Sequence, residues 1–339
     1  MSWPSIGEHA SVYALVGAIT IAFSSILVRL SDASASTAAI FRCVYALPIL
    51  GLLAYREDRR LGGRAWRERR AGLAAGVFFA IDIMLWNHSI ADVGAGLATV
   101  LANIQVVILP LVAWALLAER PGRAVLLALP VALFGVLLIS GVLEHGAFGR
   151  DPTRGTLFGI GAGTAYVGFL LLLRRGGADL RRPAGPLFDA TAVSAVLCVL
   201  AGLAIGDARF VPTWPSAGWL GLLALGSQVV GWLLIGAALP RLPAAMGSML
   251  LTVQPIGSVA LAALIFAESP STLQLGGVAL VLVALIVAGR GRRSETRLAR
   301  GSRPGTLGIR VDGGEGGSDN VWSGDLPGAG ESPRAGRGV

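Results

Sequence analysis

Apolar residues run along most of this chain in stretches of about 20, separated by short segments that hold nearly all of its charge. A helix rises 1.5 Å per residue, so a run of that length crosses a hydrocarbon core of ~30 Å. Ten such runs are predicted as helices, at 11–30, 36–55, 71–91, 95–118, 124–143, 155–173, 187–205, 216–239, 244–267 and 273–288. The expected fold class is an all-α integral membrane protein.

The fourth run and the ninth are versions of one another. Residues 94–121 read GAGLATVLANIQVVILPLVAWALLAERP, and 149 residues on, 243–270 read PAAMGSMLLTVQPIGSVALAALIFAESP. Seven of the 28 positions are identical. The weight lies on Gln105 and Gln254, Glu119 and Glu268, and Pro121 and Pro270, since apolar spans rarely hold such residues. An internal duplication follows, with five spans in each copy.

The charge between the runs gives an orientation. The segment 56–70 carries seven arginines, the one after the sixth run has Arg174, Arg175, Arg181 and Arg182, and the tail opens with Arg290, Arg292 and Arg293. Segments 31–35, 91–94, 206–218 and 268–272 are poor in arginine. Basic loops stay cytoplasmic, which puts both termini there and leaves Arg150 and Arg154 as a mild excess outside. With an odd number of spans per copy, the second half must run upside down relative to the first. The prediction is two inverted five-helix repeats, 11–143 and 155–289, preceded by a short segment 1–10 and followed by a disordered cytoplasmic tail, 290–339.

Composition narrows the function. The chain has 54% hydrophobic and 14% charged residues and a mean hydropathy of +0.69, too little polar surface for a soluble globule. All of its basic charge is arginine in short blocks, which topology explains better than nucleic-acid binding. Cys43 and Cys198 lie in apolar runs without disulfide or metal-ligand spacing. No GxxxxGK[ST], HExxH, CxxC or GxSxG occurs, so neither ATP-driven pumping nor catalysis is expected, and no cofactor or metal is. Ala33-Ser34-Ala35 mimics a signal-peptidase site, but Arg29 ends the apolar run just before it, and an uncleaved first helix is expected.

Polar residues halfway along a span are costly unless satisfied or wetted by a cavity. They are Ser24 and Ser25, Asp82, Asn103 and Gln105, Tyr166, Gln228, and Thr252 and Gln254. They come from both halves at one depth, where an inverted-repeat carrier places its substrate. Asp82 is the only acid there, and Trp86 follows one turn on. Gln228 and Trp232 repeat that spacing in the eighth span. Asp82 is a candidate either for proton exchange or for holding a cationic group, with Trp86 against the body of the substrate. The candidate substrate-binding residues are Ser24, Asp82, Trp86, Asn103, Gln105, Tyr166, Gln228, Trp232 and Gln254.

Several residues take structural expectations. Asn103 and Gln105 are about 200° apart on a continuous helix, so only one should face a central cavity. Pro110 and Pro255 should bend their helices. Gly72, Gly76 and Ala80, and Gly155, Gly159 and Gly163, form stripes that let helices approach closely. His88 points away from Asp82 and is expected in a hydrogen-bonded packing role. Arg42 is expected to snorkel or to pair with a carboxylate, and Glu119 and Glu268 to end their helices and anchor loops.

Ten spans in two inverted halves, with LLAERP and IFAESP closing the fourth and ninth helices, resemble the EamA family of the drug/metabolite transporter superfamily over about 11–289. Arg42, early in the second helix, and Glu119 and Glu268 match residues that the family keeps. Asp82 matches no motif of it. The resemblance implies alternating-access carriers, mostly in bacterial inner membranes, many of them exporters of amino acids, other metabolites or toxic compounds. The expected protein is a multi-pass secondary transporter of the cell membrane and not an enzyme. Its expected partners are a small-molecule substrate and the lipid bilayer, with a homodimer allowed and no nucleic acid. The rival readings are a carrier of lipid-linked or nucleotide-linked sugars, and a membrane channel or sensory protein.

Overall fold

The computed structural model describes residues 6–117, 121–177, 179–238, 242 and 252–301. Those residues are helical nearly throughout. The helices are α1 (Ile6–Leu30), α2 (Ala35–Leu61), α3 (Trp66–Ala102), α4 (Gln105–Leu117), α5 (Arg123–Ile139), α6 (Pro152–Gly176), α7 (Ala184–Ile205), α8 (Ser216–Leu222), α9 (Trp232–Ala238), α10 (Val253–Phe266) and α11 (Thr272–Gly301). A π-helical stretch, Leu223–Gly231, joins α8 to α9. Six helical segments are long and apolar enough to cross a membrane, and Arg123–Ile139, Val253–Phe266 and Thr272–Ala288 are shorter apolar helices.

The long α3 holds the expected third span and the start of the fourth, divided at Gly94, whose φ of 87° breaks the helical path. A residue with a Cβ would be strained there. The expected fourth span is not continuous. It stops at Ala102 and resumes as α4 at Gln105, across short bonds from Ile104 N to Leu101 O and from Val106 N to Asn103 O. The Asn103 side chain donates to Thr99 O at 2.8 Å, the local competition with the backbone that makes asparagine a helix terminator. The interruption thus falls at Asn103, seven residues before Pro110. The expected ninth span lies partly outside the described residues, as does Glu119, and α10 opens at Val253. α11 carries on to Gly301, beyond the expected end of the last span, and 302–339 lie outside the described residues.

Packing recurs between the halves. α1 packs on α8, α9, the π-helical stretch and α10, while α6 packs on α3 and α4. α2 packs on α7, and α5 on α11. Small residues permit the close crossings. A Cβ on Gly135 would sit 2.8 Å from Gly277 O, one on Gly159 2.6 Å from Leu101 Cβ, and one on Gly163 2.7 Å from Ala102 O. Gly76 abuts the Ala190 carbonyl in the same way. Hydroxyls add polar contacts between helices: Ser258 donates to Ala22 O at 2.9 Å, Ser89 to Gly155 O at 2.7 Å and Ser194 to Gly76 O at 2.7 Å.

The α2–α7 pair is tied at both ends. At one, Ser34 Oγ donates to Asp207 O at 2.6 Å and the Arg209 amide to Thr37 Oγ1 at 2.8 Å. At the other, Glu57 accepts the Ala184 and Gly185 amides at 3.0 and 2.9 Å, and Arg64 grips Asp189 with two bonds of 2.7 and 3.1 Å. Cys43 and Cys198 are buried free thiols in this pair.

Candidate functional site

A cavity lies at mid-length in the bundle. Its walls are Ile21 and Ser24 from α1, Arg42 from α2, Phe79, Asp82, Ile83, Trp86, Thr99 and Ala102 from α3, Asn103 from the helix break, Gln105 from α4, Tyr166 from α6, Trp232 from α9 and Gln254 from α10. Its volume is about 70 Å³, against roughly 300–1,000 Å³ for ordinary ligand sites. In this conformation the space suits water and not a metabolite.

Eight of the nine residues singled out in the sequence stand on this wall: Ser24, Asp82, Trp86, Asn103, Gln105, Tyr166, Trp232 and Gln254. Asn103 and Gln105 both face it, contrary to expectation. The 200° rule holds for one unbroken helix, and the chain breaks between them. Gln228 is the residue that does not line the cavity. It is fully buried within the π-helical stretch, whose wider turn re-aims side chains relative to an α-helix. Its Oε1 accepts Arg42 Nε at 2.9 Å and its Nε2 donates to Thr191 Oγ1 at 3.1 Å.

Arg42 also departs from expectation. It neither snorkels nor pairs with a carboxylate, but sits 5% exposed in the cavity wall. Gln228 holds one edge of its guanidinium, which lies 5.7 Å from the Trp86 ring centre and 5.8 Å from that of Phe79, within cation–π range. Its place well inside an apolar run, where Arg29 only ends one, was the signal for it. Asp82 is 7% exposed and, among the described residues, its carboxylate has no hydrogen bond or ion pair. One cation and one anion therefore share the cavity without meeting. Aromatic rings close one side: Phe79 stacks on Phe169 at 4.6 Å, and Trp232 meets Phe169 at 5.2 Å and Tyr166 at 5.8 Å.

Two wall atoms lack partners among the described residues, Gln105 Oε1 and Trp232 Nε1. A buried polar atom left so costs about 1–3 kcal/mol. Both atoms are closed off from the open space in this conformation, so a movement of the wall would be needed to free this acceptor and donor for water or a ligand. His88 does what was expected of it. Its Nδ1 meets Met84 O at 2.7 Å and its ring packs edge-on to Phe158.

A second, larger space of about 440 Å³ opens at one end of the bundle, between the ends of α1 and α3, the start of α2 and the segment before α6. Beside it, Glu268 accepts the amides of Ala95 and Gly96 at 2.9 and 3.2 Å and pairs with Arg29. The carboxylate comes from the end of α10 and caps the first turn of 95–102, the half-helix that ends at the cavity. A carboxylate suits that position, where unpaired amides and the helix dipole converge. Glu268 is thus an anchor, as expected. Nearby, Asp92 is held by Arg150 at 2.8 Å and by Arg154 at 2.7 Å.

Apolar helices around a buried, charged and aromatic cavity define a multi-pass membrane protein. Residues 9–141 match the model of the EamA-like transporter family. Over those residues the chain is similar to the EamA-like transporters of the drug/metabolite transporter superfamily. No curated protein matches the chain. A solved crystal structure, described only as that of a protein, is similar over 83% of this chain and 97% of its own, with a TM-score of 0.56 and 14% identity. That likeness concerns the fold.

Proposed function

We propose that this protein is an alternating-access carrier, an exporter of small metabolites such as amino acids or drug-like compounds, with its cargo site in the central cavity. The observation that carries the reading is the unpaired arrangement of Arg42 and Asp82 between aromatic walls, with Gln105 Oε1 and Trp232 Nε1 unmatched beside them. Buried opposite charges that do not meet favour a cargo with both charges, and the rings favour an apolar body. Asp82 is the proton-coupling candidate, because a proton is the simplest occupant of an uncompensated buried carboxylate when cargo is absent. Nine residues would serve the cycle: Ser24, Asp82, Trp86, Asn103, Gln105, Tyr166, Trp232 and Gln254 at the cavity, and Gln228 behind Arg42.

Ten spans in two inverted halves fit this cycle. α5 and the apolar part of α11, Thr272–Ala288, stand at one offset of 149 residues, and α4 and α10 end at that offset too. The recurring packing of α1 and α6 on the opposite half supports the same symmetry. The arginine-rich ends support a reading with both termini in the cytoplasm and the 440 Å³ space outside, in a cell membrane.

The test is uptake of radiolabelled amino acids, amines and nucleosides into proteoliposomes, with and without a proton gradient, for the wild type and Asp82→Asn. Saturable, gradient-driven flux that the variant loses while still exchanging cargo supports the reading. Gradient-insensitive flux unchanged in the variant removes Asp82 from coupling, and no flux for any compound removes the carrier.

A further inference from the structure

Arg42 enters the central cavity from α2 with one edge already committed. Gln228 Oε1 accepts its Nε at 2.9 Å. Its two terminal nitrogens, Nη1 and Nη2, have no hydrogen bond or ion pair among the described residues, and neither is closed off from open space. A guanidinium fixed at Nε presents Nη1 and Nη2 side by side, an edge that matches the two oxygens of a carboxylate. The direction of that edge depends on one buried amide. Gln228 is fully buried, and because Arg42 Nε can only donate, Oε1 must face it. Nε2 then faces away and needs an acceptor of its own. Thr191 Oγ1, fully buried on α7, is that acceptor at 3.1 Å. Thr191 is not part of the cavity wall, so any effect it has on cargo must pass through Gln228.

We propose that Thr191 is a positioning residue for cargo bearing a carboxylate: through Gln228 it holds Arg42 so that Nη1 and Nη2 meet the carboxylate end-on. The proposal rests on the carrier reading, with Arg42 as the group that binds the anionic end.

The test follows protection of a cysteine in the wall. Ser24→Cys, purified in detergent with Cys43 and Cys198 replaced by alanine, is labelled with a small maleimide. Glycine is the probe, and glycinamide, which has the same shape and ammonium group but no carboxylate, is the control. Thr191→Val keeps the β-branched shape and deletes the acceptor. The glycine concentration that halves the labelling rate should rise about tenfold, while the response to glycinamide stays as it was. Thr191→Ala removes the same acceptor with less bulk beside Nε2 and should behave alike, and thermal unfolding checks that each variant is folded. Thr191→Ser, which keeps the hydroxyl, should restore protection. In a Gln228→Leu background, Thr191→Val should have no further effect, because changes that act through one partner do not add. Unchanged protection in the valine and alanine variants, equal weakening with glycinamide, no rescue by serine, or a full additional loss in the Gln228→Leu background would each overturn the role of Thr191. Glycine that fails to protect even with Thr191 in place would overturn Arg42 as the anion-binding group as well.

Discussion

Replacing Glu268 should loosen one end of the bundle by an amount that its contacts set. Its side chain is 2% exposed and accepts two amides while pairing with Arg29. Glu268→Ala leaves the Ala95 and Gly96 amides buried and unpartnered, at about 1–3 kcal/mol each. Arg29, 36% exposed, can turn to water, so its share stays within the ~0–1 kcal/mol of a surface pair. The expected loss is about 2–7 kcal/mol. Glu268→Gln keeps one acceptor, loses the charge and points an NH2 at a donor, so about 1–3 kcal/mol should go. Unfolding in mixed detergent measures the total, and hydrogen exchange at the Ala95 and Gly96 amides locates it. A Glu268→Ala protein within 0.5 kcal/mol of the wild type, with unchanged exchange at those two amides, would refute the cap.

Four further outcomes follow from other contacts. Gly94→Ala forces a Cβ onto a φ of 87°, 2.8 Å from the Glu268 carboxylate, and should cost at least the ~1–2 kcal/mol of a left-handed residue, with faster exchange at the same two amides. Gly76→Ala drives a Cβ against Ala190 O and to 2.7 Å from Val193 Cβ, which should cost about 1–3 kcal/mol in unfolding as α3 and α7 part. Trp232→Phe removes an N–H without a partner among the described residues, so stability should hold while cargo affinity, read as the transport KM, weakens about tenfold. Gln228→Leu takes the acceptor from Arg42 Nε and should raise the KM for cargo bearing an anionic group by roughly ten- to a hundredfold; equal change for uncharged cargo would count against Arg42 as the anion reader.

Much of this arrangement was legible in the sequence, and the parts that were not share a cause. Polar residues in apolar runs stand out by composition, so Asp82, Tyr166 and Gln254 could be grouped at one depth without knowing a contact. The glycine stripes likewise marked close crossings that Gly76, Gly159 and Gly163 make. Periodicity assumes an unbroken α-helix, and it failed where the helix is not one. The break at Asn103 turns both Asn103 and Gln105 inward, and the π-helical stretch turns Gln228 away from the cavity toward Arg42. Arg42 itself was read from its distance to the end of a span, as a residue reaching for water. Phe79 and Thr99 carried no signal, because a phenylalanine or threonine in an apolar helix resembles its neighbours until tertiary packing picks one face.

The central claim is that one cavity opens to each side in turn, and labelling of Ser24→Cys in a Cys43→Ala/Cys198→Ala background tests it most directly. An impermeant thiol reagent is applied from one side of sealed proteoliposomes and then from the other. The account predicts slow labelling from either side, suppressed by transported cargo and altered in balance by Asp82→Asn. Labelling from one side only, with flux intact, would contradict it, as would rapid labelling from both sides that cargo does not slow.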